Sequence, residues 1–93
     1  MSKISRMLST KFEPEAFDEY ISWQSEDKKT LKKINLLLID TMRNPFAGIG
    51  KPEQLKGDLS GYWSRRIDSQ NRLVYRVHND CVEVFSCKSH YKD

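Results

Sequence analysis

The stretch from Ser25 to Pro45 limits the fold of this chain more than any other. Leu31, Ile34, Leu37, Leu38, Thr41 and Met42 recur at intervals of three and four while Lys28, Lys29, Lys32 and Lys33 stay polar, so a helix with one apolar stripe is predicted. Ser25-Glu26-Asp27 supplies its start, with acids suited to the positive end of the helix dipole, and Asn44-Pro45 ends it. A stripe of this kind is stable only against a second layer. Upstream, Pro14 suits the first turn of an earlier helix, in which Phe17, Tyr20 and Ile21, with Trp23 near the edge, form another stripe. Two antiparallel helices joined by a tight turn are therefore expected to cover one face of a sheet.

Strand signals flank this pair. Met7 to Phe12 reads as a short strand, broken at Glu13-Pro14. Phe46 to Asp58, with Gly48, Gly50, Pro52 and Gly57, is predicted to be a loop containing one helical turn. Three strands follow, Tyr62 to Asp68, Arg72 to His78 and Cys81 to Lys88, joined by Ser69-Gln70-Asn71 and Asn79-Asp80, which suit hairpins. The economical arrangement is an α+β fold: an antiparallel sheet of the short N-terminal strand and a three-stranded C-terminal meander, packed against the two helices. The period of two turns Leu73, Tyr75 and Val77 toward the helices and leaves Arg72, Val74 and Arg76 on the open face. With Ile67 in the core, Trp63 and Arg65 lean toward the helices, and Ser64 and Arg66 toward the open side.

At 93 residues the chain has room for one core, so residues 1–93 are read as a single domain. It has no long apolar run, hence no predicted transmembrane helix and no membrane role, and Met1 to Met7 lacks the apolar stretch of a secretory signal. A cytoplasmic location is the expectation. Cys81 and Cys87, six positions apart on one predicted strand, should share a face too far apart to bridge each other, and read as small buried hydrophobes. His78 and His90 complete no recognised metal spacing with them, so neither a metal nor a cofactor is expected. The net charge of +3 is uneven: seven acids face four bases between Glu13 and Asp40, whereas six bases face three acids from Lys51 to Arg76. One basic surface, built from the second half, would meet phosphates locally.

That second half, with the C-terminus, holds a carboxylate, several guanidinium and ammonium groups, an imidazole and a phenol. Cutting RNA without a metal needs a base for the 2′-hydroxyl proton, an acid for the departing 5′-oxygen, and positive charge where the phosphorane develops. Glu53, His90 and Arg72 can meet these three needs, and Arg66 and Arg72 are the candidates for a shared groove on the open face. His78, at a turn, is assigned no role.

Phe17-Asp18-Glu19-Tyr20, Trp23-Gln24, Asn44-Pro45-Phe46, Gly48-Ile49-Gly50-Lys51-Pro52-Glu53, Leu55-Lys56, Leu59 to Ile67, Arg72-Leu73-Val74-Tyr75 and His90-Tyr91 together resemble the YoeB toxins of bacterial toxin–antitoxin operons, within the wider RelE-like superfamily. The resemblance runs from about Met7 to Tyr91. It implies the RelE-like microbial ribonuclease fold, with residues 1–6 an N-terminal extension. It also implies a type II toxin that acts as a ribosome-dependent endoribonuclease, entering the vacant A site and cutting messenger RNA there. By matching positions, Glu53 is the general base, Arg72 stabilises the phosphate, His90 is the general acid, and Tyr91 lies beside the scissile nucleotide. Lys56, Arg65 and Arg66 are the implied RNA- and phosphate-binding residues. The chain departs from the pattern in its residues before Met7 and in Lys92-Asp93 after the His-Tyr pair.

The implied partners are a YefM-like antitoxin, the 70S ribosome with its messenger, and operator DNA reached only through the antitoxin. A homodimer is also expected, because Trp23 and Tyr20 read as exposed aromatics on the helical face. Two alternatives stand beside the nuclease. One is a noncatalytic ParE-like toxin that binds and inhibits a protein target, which would not need a His-Tyr terminus and would cause DNA damage rather than translation arrest. The other is an antitoxin-dependent transcriptional corepressor.

Overall fold

The computed structural model describes residues 7–89. Among them the order of elements is β1 (Ser9–Phe12), α1 (Pro14–Glu26), α2 (Lys28–Arg43), β2 (Glu53–Gln54), one turn of 3-10 helix (Gly57–Leu59), β3 (Trp63–Arg66), β4 (Arg72–Val77) and β5 (Cys81–Ser89). Five strands form one sheet in the order β1-β5-β4-β3-β2. The meander β3-β4-β5 is antiparallel as expected, and β2 pairs antiparallel with β3. The first strand instead runs parallel to β5, with Ser9 opposite Cys81 and Phe12 opposite Val84, so the α+β fold carries a mixed sheet. The two helices between β1 and the later strands are the crossover that such parallel pairing requires.

The helix ends follow from local chemistry. Pro14 opens α1, and Asp27, the single residue between the helices, caps α2 by accepting from the Lys29 and Thr30 amides. The stripe on α2 is as predicted, with Ile34, Leu37, Leu38 and Thr41 buried. The stripe on α1 is rotated from the expected one: Ala16 and Trp23 are buried, two turns apart, while Phe17 and Ile21 are exposed. Trp23 is thus core rather than an exposed contact residue. Its indole Nε1 donates to the Cys87 carbonyl oxygen at 3.0 Å, and Lys88 Nζ lies 4.9 Å from the ring centroid. Tyr20 is half-buried, its hydroxyl donating to Asn35 Oδ1 at 2.7 Å.

Leu73, Tyr75, Val82, Val84, Cys87 and Ile67 meet the helices in the main core. Two bulges interrupt the period on β5. Tyr75 opposes Val84 and Val74 opposes Ser86, then Arg72 opposes Ser89, so β5 carries one extra residue in each interval. Cys87 consequently joins Val82 and Val84 in the core rather than sharing the phase of Cys81, against the expectation from even spacing. Val74, expected on an open face, lies outside the main core yet is fully buried, as are Ser64 and nearly Ser86, so that face is only partly open.

Candidate active site

Sheet register decides which side chains meet on the face away from the helices. Residues directly opposite on neighbouring strands share a face, and two rows result. Glu53 opposes Ser64, and Ser64 opposes Val74, which in turn opposes Ser86. In the adjacent row Arg66 opposes Arg72. Glu53, expected in a loop, stands instead on β2, a two-residue edge strand that the sequence did not disclose because Pro52 and the surrounding glycines read as loop. The strand fixes the carboxylate beside Arg72, whose Nη1 lies 3.4 Å from Glu53 Oε1 and 3.4 Å from Ser64 Oγ.

Arg66 and Arg72 are directly opposed across β3 and β4. Like charges so placed repel. Arg72 is partly balanced by Glu53, whereas Arg66 points into solvent. The corner therefore combines a half-exposed carboxylate, which can accept a proton, with two guanidinium groups able to hold an anion between them. Lys56 is exposed just after β2. His90 and Tyr91, the other expected members, lie outside the described residues; β5 is described to Ser89, the partner of Arg72.

Arg65 is a correction. Expected among the RNA-binding residues, it is fully buried on the helix side of β3. Its Nη1 donates to Asp40 Oδ2 at 2.6 Å and to the Ile49 carbonyl oxygen at 3.2 Å. Nη2 donates to the carbonyl oxygens of Asn44 and Ala47, and Nε to the Tyr75 hydroxyl. The Tyr75 hydroxyl in turn donates to the Pro45 carbonyl at 2.7 Å. With every guanidinium nitrogen engaged by this chain, Arg65 offers nothing to a phosphate. It ties the 44–50 segment to the sheet, and that segment leads into β2 and Glu53. Asp40 also accepts from the Ile49 amide at 2.9 Å, and this bond first, then Arg65, holds its carboxyl below the usual range. Gly48, at φ +129°, is required here: an added Cβ would lie 2.0 Å from Asp40 Oδ2.

A second cluster shares the outer face. The Arg76 guanidinium lies 5.0 Å from the Tyr62 ring centroid, and Tyr62 is 5.2 Å from Phe85. Arg76 Nη2 and His78 Nε2 contact Glu83 Oε1 at 3.2 and 2.8 Å. The Glu13 carboxyl, then His78 and Arg76, bring Glu83 down to about 2, and the same pairing raises Glu13. Sequence reading put Arg76 on this face but did not find its aromatic neighbours; Tyr62 was legible from its alternation with Ser64, whereas Phe85 sits in a bulge.

Comparison with known proteins gives concordant results. Residues 12–91 match the model of the "YoeB-like toxin of bacterial type II toxin-antitoxin system". A toxin YoeB of Escherichia coli K12 is 53% identical over 77 residues, 83% of this chain and 92% of its own. The toxin in a YoeB-YefM complex from Staphylococcus aureus superposes with a TM-score of 0.83 at 49% identity, covering 90% of this chain and 98% of that one. A YoeB dimer from the same organism gives 0.85 at 50% identity, covering 91% and 99%.

Proposed function

We propose a function for a chain that belongs to the YoeB-like toxins of bacterial type II toxin–antitoxin systems: it is a ribosome-dependent endoribonuclease that cuts messenger RNA in the A site by acid–base catalysis and so arrests translation. The observation that carries this reading is the placement of Arg66 directly opposite Arg72, beside the Glu53 carboxylate. Two opposed guanidinium groups with a carboxylate at their edge suit a phosphodiester whose 2′-hydroxyl must be deprotonated.

In this scheme Glu53 takes the 2′-hydroxyl proton as the 2′-oxygen attacks phosphorus. Arg72 and Arg66, with Lys56 nearby, stabilise the charge of the phosphorane. His90, the residue after Ser89, protonates the 5′-oxygen as its bond to phosphorus breaks, and Tyr91 supports the scissile nucleotide. The products are a 2′,3′-cyclic phosphate and a 5′-hydroxyl. The ribosome supplies the positioning for in-line attack that a half-exposed site does not. A YefM-like antitoxin is the proposed inhibitor, supported by the S. aureus complex, and operator DNA is reached through it; a second copy is a further proposed partner, supported by the S. aureus dimer. Action on ribosomes places the protein in the cytoplasm.

The test is cleavage of an end-labelled messenger by wild type and Glu53→Gln, with and without ribosomes holding a defined empty A-site codon. A cut in that codon that needs both ribosomes and Glu53 is expected. No cut by folded, antitoxin-free protein would remove the nuclease.

A further inference from the structure

The cluster of Tyr62, Phe85 and Arg76 has no part in the scheme above, yet it lies on the same face of the sheet. Arg72 and Arg76 stand four residues apart on β4 with the same facing, a separation of about 13 Å along the strand. On β3, β4 and β5 the row between Arg72 and this cluster is made of small side chains, Ser64, Val74 and Ser86, with Glu53 at its β2 end. At the far end Phe85 is 37% exposed and the Arg76 side chain 44% exposed, so both are open to solvent beside Tyr62. Tyr62 joins the group: the Phe85 ring centroid lies 5.2 Å from its own and the Arg76 guanidinium lies 5.0 Å from it.

We infer that Tyr62, Phe85 and Arg76 form a subsite that stacks an unpaired RNA base next to the scissile nucleotide; the inference rests on the nuclease reading and names a further contact of the same site. Exposed aromatic rings with an adjacent arginine are how proteins hold single-stranded RNA, because every base has a face to stack and the cation adds attraction. A hollow of about 310 Å³ lined by Glu13, Pro14, Glu15 and Phe85 opens beside the ring. Its carboxylates repel phosphate but accept from base amino groups, so the base rather than the backbone points that way. Arg76 and Arg72 then flank the backbone on the side of the cut.

Tyr62→Leu/Phe85→Leu is the informative variant, since leucine keeps apolar bulk at two partly exposed positions; Arg76→Gln tests the cation separately. Two readouts are taken. One is ribosomal cleavage, resolved into KM and kcat. The other is quenching of 2-aminopurine placed at single positions of a short RNA, titrated with Glu53→Gln protein with and without the two leucines. A KM rise of about 5- to 100-fold with little change in kcat is expected, with quenching at one position flanking the cut that the leucine pair abolishes and Arg76→Gln weakens. Unchanged KM together with unchanged or absent quenching overturns the subsite while leaving the nuclease intact. Failure of the wild type to cut on ribosomes overturns the nuclease reading, and the subsite with it. Cleavage with unchanged KM and kcat by the leucine pair, together with quenching that the pair leaves intact, would overturn the RNA assignment of this patch.

Discussion

Arg65 and Asp40 form an ion pair at 2.6 Å that joins β3 to α2, with the arginine fully buried and the carboxylate half-buried. The pair turns one of two adjacent arginines inward, leaving Arg66 alone to face solvent at the site. Since the same guanidinium gathers three backbone carbonyls of the 44–50 segment, it anchors the approach to β2.

Replacing Arg65 by Met is expected to destabilise the fold by about 3 kcal/mol, because Asp40 and those carbonyls lose their donor in a buried setting. Urea unfolding would show it as a lower midpoint with an unchanged slope. Cleavage per folded molecule at low temperature should fall far less than in Arg72→Gln.

Glu53→Gln is expected to show the opposite split. Its ion pair with Arg72 is long and partly exposed, so stability should change by less than about 1 kcal/mol. The single-turnover rate on ribosomes should fall by about 10²- to 10⁴-fold. A stability loss that accounts for the rate loss would remove the catalytic assignment.

Acid sensitivity should trace in part to Asp40. Its folded pKa is lowered, by the Ile49 amide and then Arg65, so its contribution is complete above the unfolded value of about 3.9. That contribution is lost as pH falls through the lower folded value. Denaturation midpoints should therefore run parallel for wild type and Asp40→Asn, which starts lower, down to about pH 4, and drop more steeply for wild type below it.

The two cysteines should differ in reactivity. Burial pushes the Cys87 thiol up to about 12, with Glu19 adding to the effect, whereas Cys81 is half-buried on the other phase of β5. Alkylation at neutral pH should label Cys81 in the folded protein and reach Cys87 only on unfolding. Mass spectrometry of peptides after a timed iodoacetamide pulse would decide it.

Trp23→Phe removes the donor to the Cys87 carbonyl and the indole beneath Lys88. A loss of about 1–2 kcal/mol is expected, read as a lower thermal midpoint. If Trp23 were a surface contact residue, the same change would instead weaken self-association and leave the midpoint alone.

The sequence by itself determined the features that depend on near neighbours in the chain. The α2 stripe, a helix start within Ser25-Glu26-Asp27 that the structure narrows to Asp27, the Asn44-Pro45 stop and the three-strand meander follow from periodicities and caps acting over a few residues. They were legible because each is enforced locally. The motif resemblance, carried by residues spread along the chain, likewise pointed to the family that comparison shows.

What only tertiary structure decided is which side chains share a face. Strand β2 exists because β3 offers it an edge, since two residues beside a proline carry no strand signal of their own. The parallel seating of β1 depends on a crossover of two helices. Bulges on β5, set by its pairing with β4, moved Cys87 inward and Phe85 out of phase. Arg65 and Arg66 are neighbours of one chemistry in the sequence. The sheet separates them, one into a buried ring of carbonyls and one onto the surface, because burial and hydrogen bonding are settled by groups 10 to 25 residues away.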